Sequence, residues 1–426
     1  MKNALYAQAG GPSAVINASA AGVIRACRRS GQIDTVFGAH FGVLGALNEN
    51  LIDTSPFDDA TLELLKATPA AAFGACRHVL HDLADDPREY QRLIDVFAAH
   101  DIAYFFYNGG GGSAHACQAI AQASRRLGYP IVAVHVPKTI DNDLLHTDCS
   151  PGFGSAAKYV ATSIREASID LASMSHTSSK VFILETMGRY AGWLVGACGL
   201  ATEHPNDGPH LLLFPEIPFD ETQFLHQVKE TVERVGYCAI AVAEGLRDQT
   251  GNTLHATGQK DAAGDRQLGG VAPLLAHMVT QQLGYKCHWA VADYLQRAAR
   301  HLASATDVAQ AYAVGEAAVA MALDGRHGLM PAIRRLSDVP YRWDIVGVPL
   351  DDIIQGDRFV PREFISASGL HLSEAGRRYL APLIAGEDAP LFKHGLPQYF
   401  RLPHDRVPKK LPPFQSPLTS RVQCQV

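Results

Sequence analysis

The stretch Pro137-Lys138-Thr139-Ile140-Asp141-Asn142-Asp143 sets a lysine, a hydroxyl and two carboxylates directly behind the apolar run Pro130-Ile131-Val132-Ala133-Val134. Asp141 or Asp143 could take a proton from a substrate hydroxyl while Lys138 meets an anionic group. Standing alone, Asp-Asn-Asp would favour an acidic strand-end turn that caps a helix. Its company favours chemistry: Tyr107-Asn108-Gly109-Gly110-Gly111-Gly112-Ser113 follows a second apolar run, Ile102 to Phe106.

Such clusters need strands that release their polar residues at the carboxyl end, where open α/β sheets bind ligands. The required elements recur along the chain. Asn3 to Ala7 reads as a strand, Gly10-Gly11-Pro12-Ser13 as a turn, and a helix follows from about Ala14. Glycines there supply positive φ in any turn, and helix-start amides can also face a phosphate. Ile102 to Phe106 leads through the glycines to a helix over 114–127, and Ile131 to Val134 leads through the Lys-Thr-Ile-Asp-Asn-Asp cluster to a helix over 153–172. Val181 to Glu185 ends at Met187-Gly188-Arg189, and Ala239 to Ala243 ends at Glu244-Gly245. Repeated strand-to-helix units predict an α/β fold of mainly parallel sheets with helices on both faces. The domain boundary is expected near Pro137. Residues 1–137 with about 255–310 would form one domain, and 138–254 with about 311–426 the other, ending in a proline-rich surface segment from Pro403 to Val426.

The 426 residues suffice for two or three domains. A hydrophobic share of 47% with 19% charged residues belongs to a folded globular chain. The net charge of -6 argues against a nucleic-acid partner, so any anion must be held locally. No apolar run reaches the roughly 20 residues of a membrane span, and the amino terminus lacks a signal-peptide layout; a cytoplasmic location is expected. Eight scattered cysteines without a Cys-x-x-Cys pair signal neither zinc nor a disulfide framework.

With these motifs in order, the chain resembles the phosphofructokinase family, closest to its pyrophosphate-dependent branch. Gly10-Gly11, Gly74-Ala75-Cys76-Arg77, Gly109 to Ser113, Pro137 to Asp143, Met187-Gly188-Arg189, Ala243-Glu244-Gly245 and Tyr294-Leu295-Gln296-Arg297 carry the resemblance. It implies two similar three-layer domains with the active site in the cleft between them. It also implies phosphoryl transfer from diphosphate to the C1 hydroxyl of fructose 6-phosphate, with Asp141 as general base and Lys138 and Arg77 neutralising the donor. Gly11, Gly111, Gly112 and Ser113 would complete the donor site. Thr139, Asp141, Asp143, Met187, Gly188, Arg189 and Glu244 would bind the acceptor. Arg297, Tyr294 and His288 would clamp its phosphate, with Lys180 reaching in from a second subunit of a homodimer or homotetramer. An arginine by itself is more often a surface cation or helix-terminal partner.

The glycine loop departs from the family pattern. Gly111 stands where an aspartate would help hold Mg²⁺, which leaves the metal to Asp141 or Asp143, donor oxygens and water. Gly112 stands where the diphosphate branch carries a second aspartate, and its absence opens room for ATP. Lys138, a glycine in the ATP-using relatives, weighs for diphosphate. An ATP-dependent or altered-sugar paralogue and a sugar-phosphate-binding subunit are the alternatives.

Overall fold

The computed structural model describes residues 2–260 and 266–415. Its first sheet is built on β1 (Lys2–Ala9), flanked by β2 (Ile33–Ala39) and a short antiparallel β3 (Leu51–Asp53). At the carboxyl end of β1, Gln8 and Ala9 pair with β4 (Ala75–Cys76), which delivers Arg77. On the other side lie β5 (Ile102–Gly109) and β6 (Val132–Pro137), both parallel to β1. The second sheet holds β7 (Val181–Thr186), β8 (Leu211–Leu213) and β9 (Cys238–Ala243). A backbone hairpin of β10 (Ala256–Lys260) and β11 (Arg266–Leu268) precedes β12 (Cys287–Val291), which pairs in parallel with β7. An antiparallel pair, β13 (Leu329–Asp338) and β14 (Tyr341–Pro349), then extends the first sheet beyond β6.

The helices that matter to the site are α1 (Ile16–Ser30), α2 (Gly111–Arg126), α3 (Phe153–Met174), α4 (Val271–Leu283), α5 (Asp293–Ala298) and α6 (Ala305–Leu323). The first sheet buries both faces. Ala4, Tyr6, Phe106, Val134 and Val136 meet Ala20, Val23, Val314 and Ala318 of α1 and α6, while Leu5, Ala7, Phe105, Tyr107 and Ala133 meet Ala114, Cys117 and Ile120 of α2. Continuous apolar strands follow from this two-sided burial. The helices α1 and α6 approach backbone to backbone: a Cβ at Gly22 would lie 2.3 Å from the Tyr312 carbonyl oxygen, and one at Gly315 2.3 Å from that of Ser19. Ser304 caps α6, accepting from the Asp307 amide, and Asp307 in turn accepts from the amides of Gly152 and Ser155 at the start of α3.

Strand pairing differs from the expected segment exchange. Within 255–310, Cys287–Val291 joins the second sheet, and the first sheet instead recruits 329–349. The polar loop at 249–252 turns within the second half, Asp248 accepting from the amides of Thr250 and Asn252. The antiparallel pair had no strand-to-helix signature by which to be found. Of the proline-rich tail, 416–426 and with it Cys424 lie outside the described residues. The seven described cysteines are free thiols.

Candidate active site

The expected helix over 114–127 begins earlier, at Gly111, and β5 runs on to Gly109. The glycine cluster is therefore the joint itself: Gly110 precedes the helix and accepts from the Ser113 amide at 3.1 Å, and the amides of Gly111 and Gly112 open it. Unsatisfied amides at a helix start, with the positive end of its dipole, favour an anion. An added Cβ would meet nothing within 4 Å at either Gly111 or Gly112.

One strand over, β6 delivers the acidic cluster. The Lys138 amide donates to the Gly109 carbonyl at 2.9 Å, and that of Thr139 to the Pro151 carbonyl at 3.2 Å. Asn142 takes a left-handed φ of 55° and its Oδ1 accepts from the Ser150 amide at 2.9 Å. Asparagine tolerates that conformation, and it fixes the backbone between the two aspartates. The Asp141 amide donates to Thr139 Oγ1 at 3.1 Å.

Lys138 is buried, 4% exposed, with Nζ donating to the Gly11 carbonyl at 2.6 Å. Burial lowers its pKa to about 8, with Asp141 and Asp143 opposing and Arg297 and Arg77 assisting. Burial raises the Asp141 carboxyl above the usual carboxylate range; Glu244 adds to this, and Lys138, Arg189 and Arg297 pull it back. Asp143 is raised in the same way, by burial, then by Asp141 and Asp357. Its Oδ1 is buried without a hydrogen-bond partner among the described residues. Glu244 is raised by burial. The arrangement is an acid–base centre ringed by cations, and neighbouring carboxylates of raised pKa mark such a centre.

The second sheet supplies the facing wall. Met187, Gly188 and Arg189 follow β7, and Glu244 follows β9, its amide donating to the Thr186 carbonyl at 2.9 Å. From α5, Arg297 stacks on the Tyr294 ring at 3.9 Å from its centroid. Arg297 also reaches across to the first domain: a Cβ at Gly11 would fall 2.8 Å from its Nη1, so only glycine permits this approach. A cavity of about 880 Å³ joins Gly11, Arg77, Lys138, Thr139 and Asp141 to Met187, Arg189, Glu244, Tyr294 and Arg297. A neighbouring one of about 950 Å³ shares Lys138 and Asp141 and continues past Asp143, Gly112 and Ser113 along α2.

Lys180 and His288 are not brought into the cleft of their own chain. Lys180 precedes β7 whereas Met187 follows it, about 20 Å away at the rise of an extended strand. His288 pairs with Phe182 and stands at that same far end, not beside Arg297 as the expected clamp required. Strand direction is the reason: parallel β7 and β12 carry both residues to the amino-terminal edge.

Several supporting residues escaped sequence reasoning. Asn17 joins α1 to the loop before Arg77, donating to the carbonyls of Thr68 and Ala70 at 2.8 Å each and accepting from the Ala72 amide at 3.1 Å. Gln8 accepts from the Phe73 amide at 3.1 Å and donates to Asn17 Oδ1 at 2.9 Å. Gln296 accepts from the Met187 amide at 3.2 Å and so ties that loop to the helix of Arg297. A polar residue amid apolar or small neighbours was the signal available for the first two.

Among the described residues no group of three His, Cys, Asp or Glu side chains could hold a metal ion, and no helix is long and apolar enough to cross a membrane. The phosphofructokinase family model matches residues 3–322. The pyrophosphate–fructose 6-phosphate 1-phosphotransferase of Halomonas elongata is 57% identical over 97% of this chain and 99% of its own. That of Methylococcus capsulatus is 53% identical over 96% and 98%. The crystal structure of a pyrophosphate-dependent phosphofructokinase from Nitrosospira multiformis superposes with a TM-score of 0.90 at 52% identity, covering 97% of this chain and 100% of that one. By motif, fold and near full-length similarity, the chain belongs to the phosphofructokinase family.

Proposed function

We propose that this chain transfers a phosphoryl group from diphosphate to the C1 hydroxyl of fructose 6-phosphate, giving fructose 1,6-bisphosphate and phosphate. The observation that carries the reading is Lys138, a buried cation anchored on Gly11 that lines one cavity with Asp141 and the start of α2. Relatives named for this reaction at 51–57% identity support it. Asp141 takes the hydroxyl proton as that oxygen attacks the terminal phosphorus; the bond to the bridging oxygen breaks and phosphate leaves. Charge neutralisation dominates such a transfer, and Lys138, Arg77 and the helix-start amides supply it.

Arg189, Glu244 and Arg297 hold the sugar phosphate, with Thr139, Met187 and Gly188 shaping its pocket. Lys180 and His288 would serve a second subunit's site in a homo-oligomer, since they cannot reach their own. The unpartnered buried Oδ1 of Asp143 beside Asp141 fits Mg²⁺, which takes one or two carboxylates and otherwise water and substrate oxygens. When bound, the metal would offset donor charge.

A donor panel of diphosphate, ATP and other nucleotides with fructose 6-phosphate and Mg²⁺, read by bisphosphate formation, tests the reading. Bisphosphate is expected from diphosphate. Good use of ATP with none of diphosphate would overturn the donor, and the open space at Gly112 makes ATP the relevant rival.

A further inference from the structure

His135 stands where strand alternation calls for an apolar side chain. It follows Ala133 on the face of β6 that packs beneath α2, beside Tyr107, and it is fully buried. Its Nε2 lies 3.0 Å from Ser113 Oγ, and the Ser113 hydroxyl lies 2.7 Å from the Gly110 carbonyl oxygen. Its Nδ1 is buried and has no hydrogen-bond partner among the described residues.

These contacts select a tautomer. Burial, aided by Lys138, pushes the imidazole pKa down to about 3, so the ring is neutral and carries one proton. On Nδ1 that proton would be a buried donor without an acceptor. On Nε2 it is donated to Ser113 Oγ, whose own proton goes to the Gly110 carbonyl. The residual defect is then an unused acceptor, which is tolerated better than an orphaned N–H.

We infer that His135 is a positioning residue for the donor site: by donating from Nε2 to Ser113 Oγ, it occupies one acceptor lone pair of the hydroxyl and directs the hydroxyl proton away from the ring, towards an acceptor on the far side. In this structure the hydroxyl proton goes to the Gly110 carbonyl; with diphosphate bound it turns to a phosphate oxygen. The inference rests on the diphosphate reading above for the identity of that anion. The same chain of hydrogen bonds holds the joint between β5 and α2, so the amides of Gly111 and Gly112 keep their aim.

Steady-state kinetics on the full-length protein tests it. His135→Leu should raise the KM for diphosphate about tenfold, the value of one charge-assisted hydrogen bond, and leave the KM for fructose 6-phosphate unchanged. His135→Gln, which can present an N–H near the Nε2 position, should restore most of the loss. In a Ser113→Ala background His135→Leu should cost nothing further. An unchanged diphosphate KM, equal changes in both KM values, or an undiminished effect without Ser113 would overturn the role. Imidazole ¹⁵N shifts of the wild-type protein give a readout independent of the variants' folding: a neutral ring protonated on Nε2 at pH 5–8 is expected, and protonation on Nδ1 overturns the inference. Calorimetry with diphosphate separates the two readings. If wild type binds diphosphate without turnover and His135→Leu weakens that binding, the reaction fails and the positioning role stands.

Discussion

Lys138 donates to the Gly11 carbonyl at 2.6 Å, so the cation at the end of β6 is held by the turn that follows β1. This bond joins two strands that are not neighbours, across the carboxyl edge of the sheet. It holds the ammonium at the turn that carries Gly11. Replacing Lys138 with glycine removes the charge and the volume together, and preference should shift from diphosphate towards ATP. The ratio of kcat/KM for the two donors measures this, and an unchanged ratio would remove Lys138 as the discriminator.

The same burial predicts the pH profile. Lys138, lowered to about 8, loses its charge as pH rises through that value, so diphosphate affinity, corrected for the ligand's own ionisation, should weaken above about pH 8. Asp141 is raised, so it takes up a proton at higher pH than an ordinary carboxylate. The acid limb of kcat/KM should therefore fall well above pH 4, giving a bell. An acid limb at the usual carboxylate range would contradict the burial of Asp141 and its crowding by Glu244.

Asp141→Asn keeps the shape and removes the base. It should lower kcat by about 10²–10⁴-fold with little change in sugar affinity. Retention of most of the turnover would assign proton transfer elsewhere, Asp143 being the nearest carboxylate.

How far this site could be read in advance depended on chain distance. Lys138, Thr139, Asp141 and Asp143 are one strand end, and Gly109 to Ser113 another, so motif and apolar run were legible together. Arg297 required the tertiary structure to show that it closes on Gly11 from the opposite domain. His288 was misplaced because its neighbourhood in sequence, six residues before Tyr294, says nothing about strand direction. The extension of the first sheet by β13 and β14 was not legible either, since an antiparallel pair lacks the strand-turn-helix rhythm that marked the rest. His135 carried a visible signal, a titratable residue on an apolar face, whose meaning depended on Ser113.

Strand direction yields a complementation test. Lys180 and His288 share the amino-terminal edge of the second sheet, remote from Asp141 of the same chain. In a mixed oligomer of Lys180→Ala and Asp141→Asn chains, one kind of site regains both groups. Activity above that of either parent is expected after subunit exchange. Confirmed exchange without recovery would mean that Lys180 serves no neighbouring site.

The open space at Gly111 predicts a gain of metal affinity. An aspartate there meets no atom within 4 Å of its Cβ and stands in the first turn of α2, where a carboxylate is favoured by the helix dipole. Gly111→Asp should lower the Mg²⁺ concentration needed for half-maximal rate, because Asp143 then has a second hard-oxygen partner. An unchanged or raised Mg²⁺ requirement would show that the metal sits elsewhere.

The last prediction concerns the carboxyl-terminal segment. Glu49, 1% exposed, accepts from the amides of Lys410 at 2.8 Å and Leu411 at 3.1 Å, and also pairs with His100 Nε2 at 2.8 Å and Arg92 at 3.3 Å. These partners outweigh burial and hold its pKa below the usual range. A depressed carboxylate stabilises the fold above its unfolded pKa and loses that contribution as pH falls through the folded value, so the stabilisation should disappear below about pH 4. Glu49→Ala leaves Arg92 buried without its partner and should cost about 3 kcal/mol at neutral pH. Denaturant unfolding of wild type and variant at pH 7 and pH 4 checks both parts. The gap between the two proteins should narrow in acid, and a gap that is constant across pH would show that packing, not the carboxylate, holds residues 407–411 against the first domain.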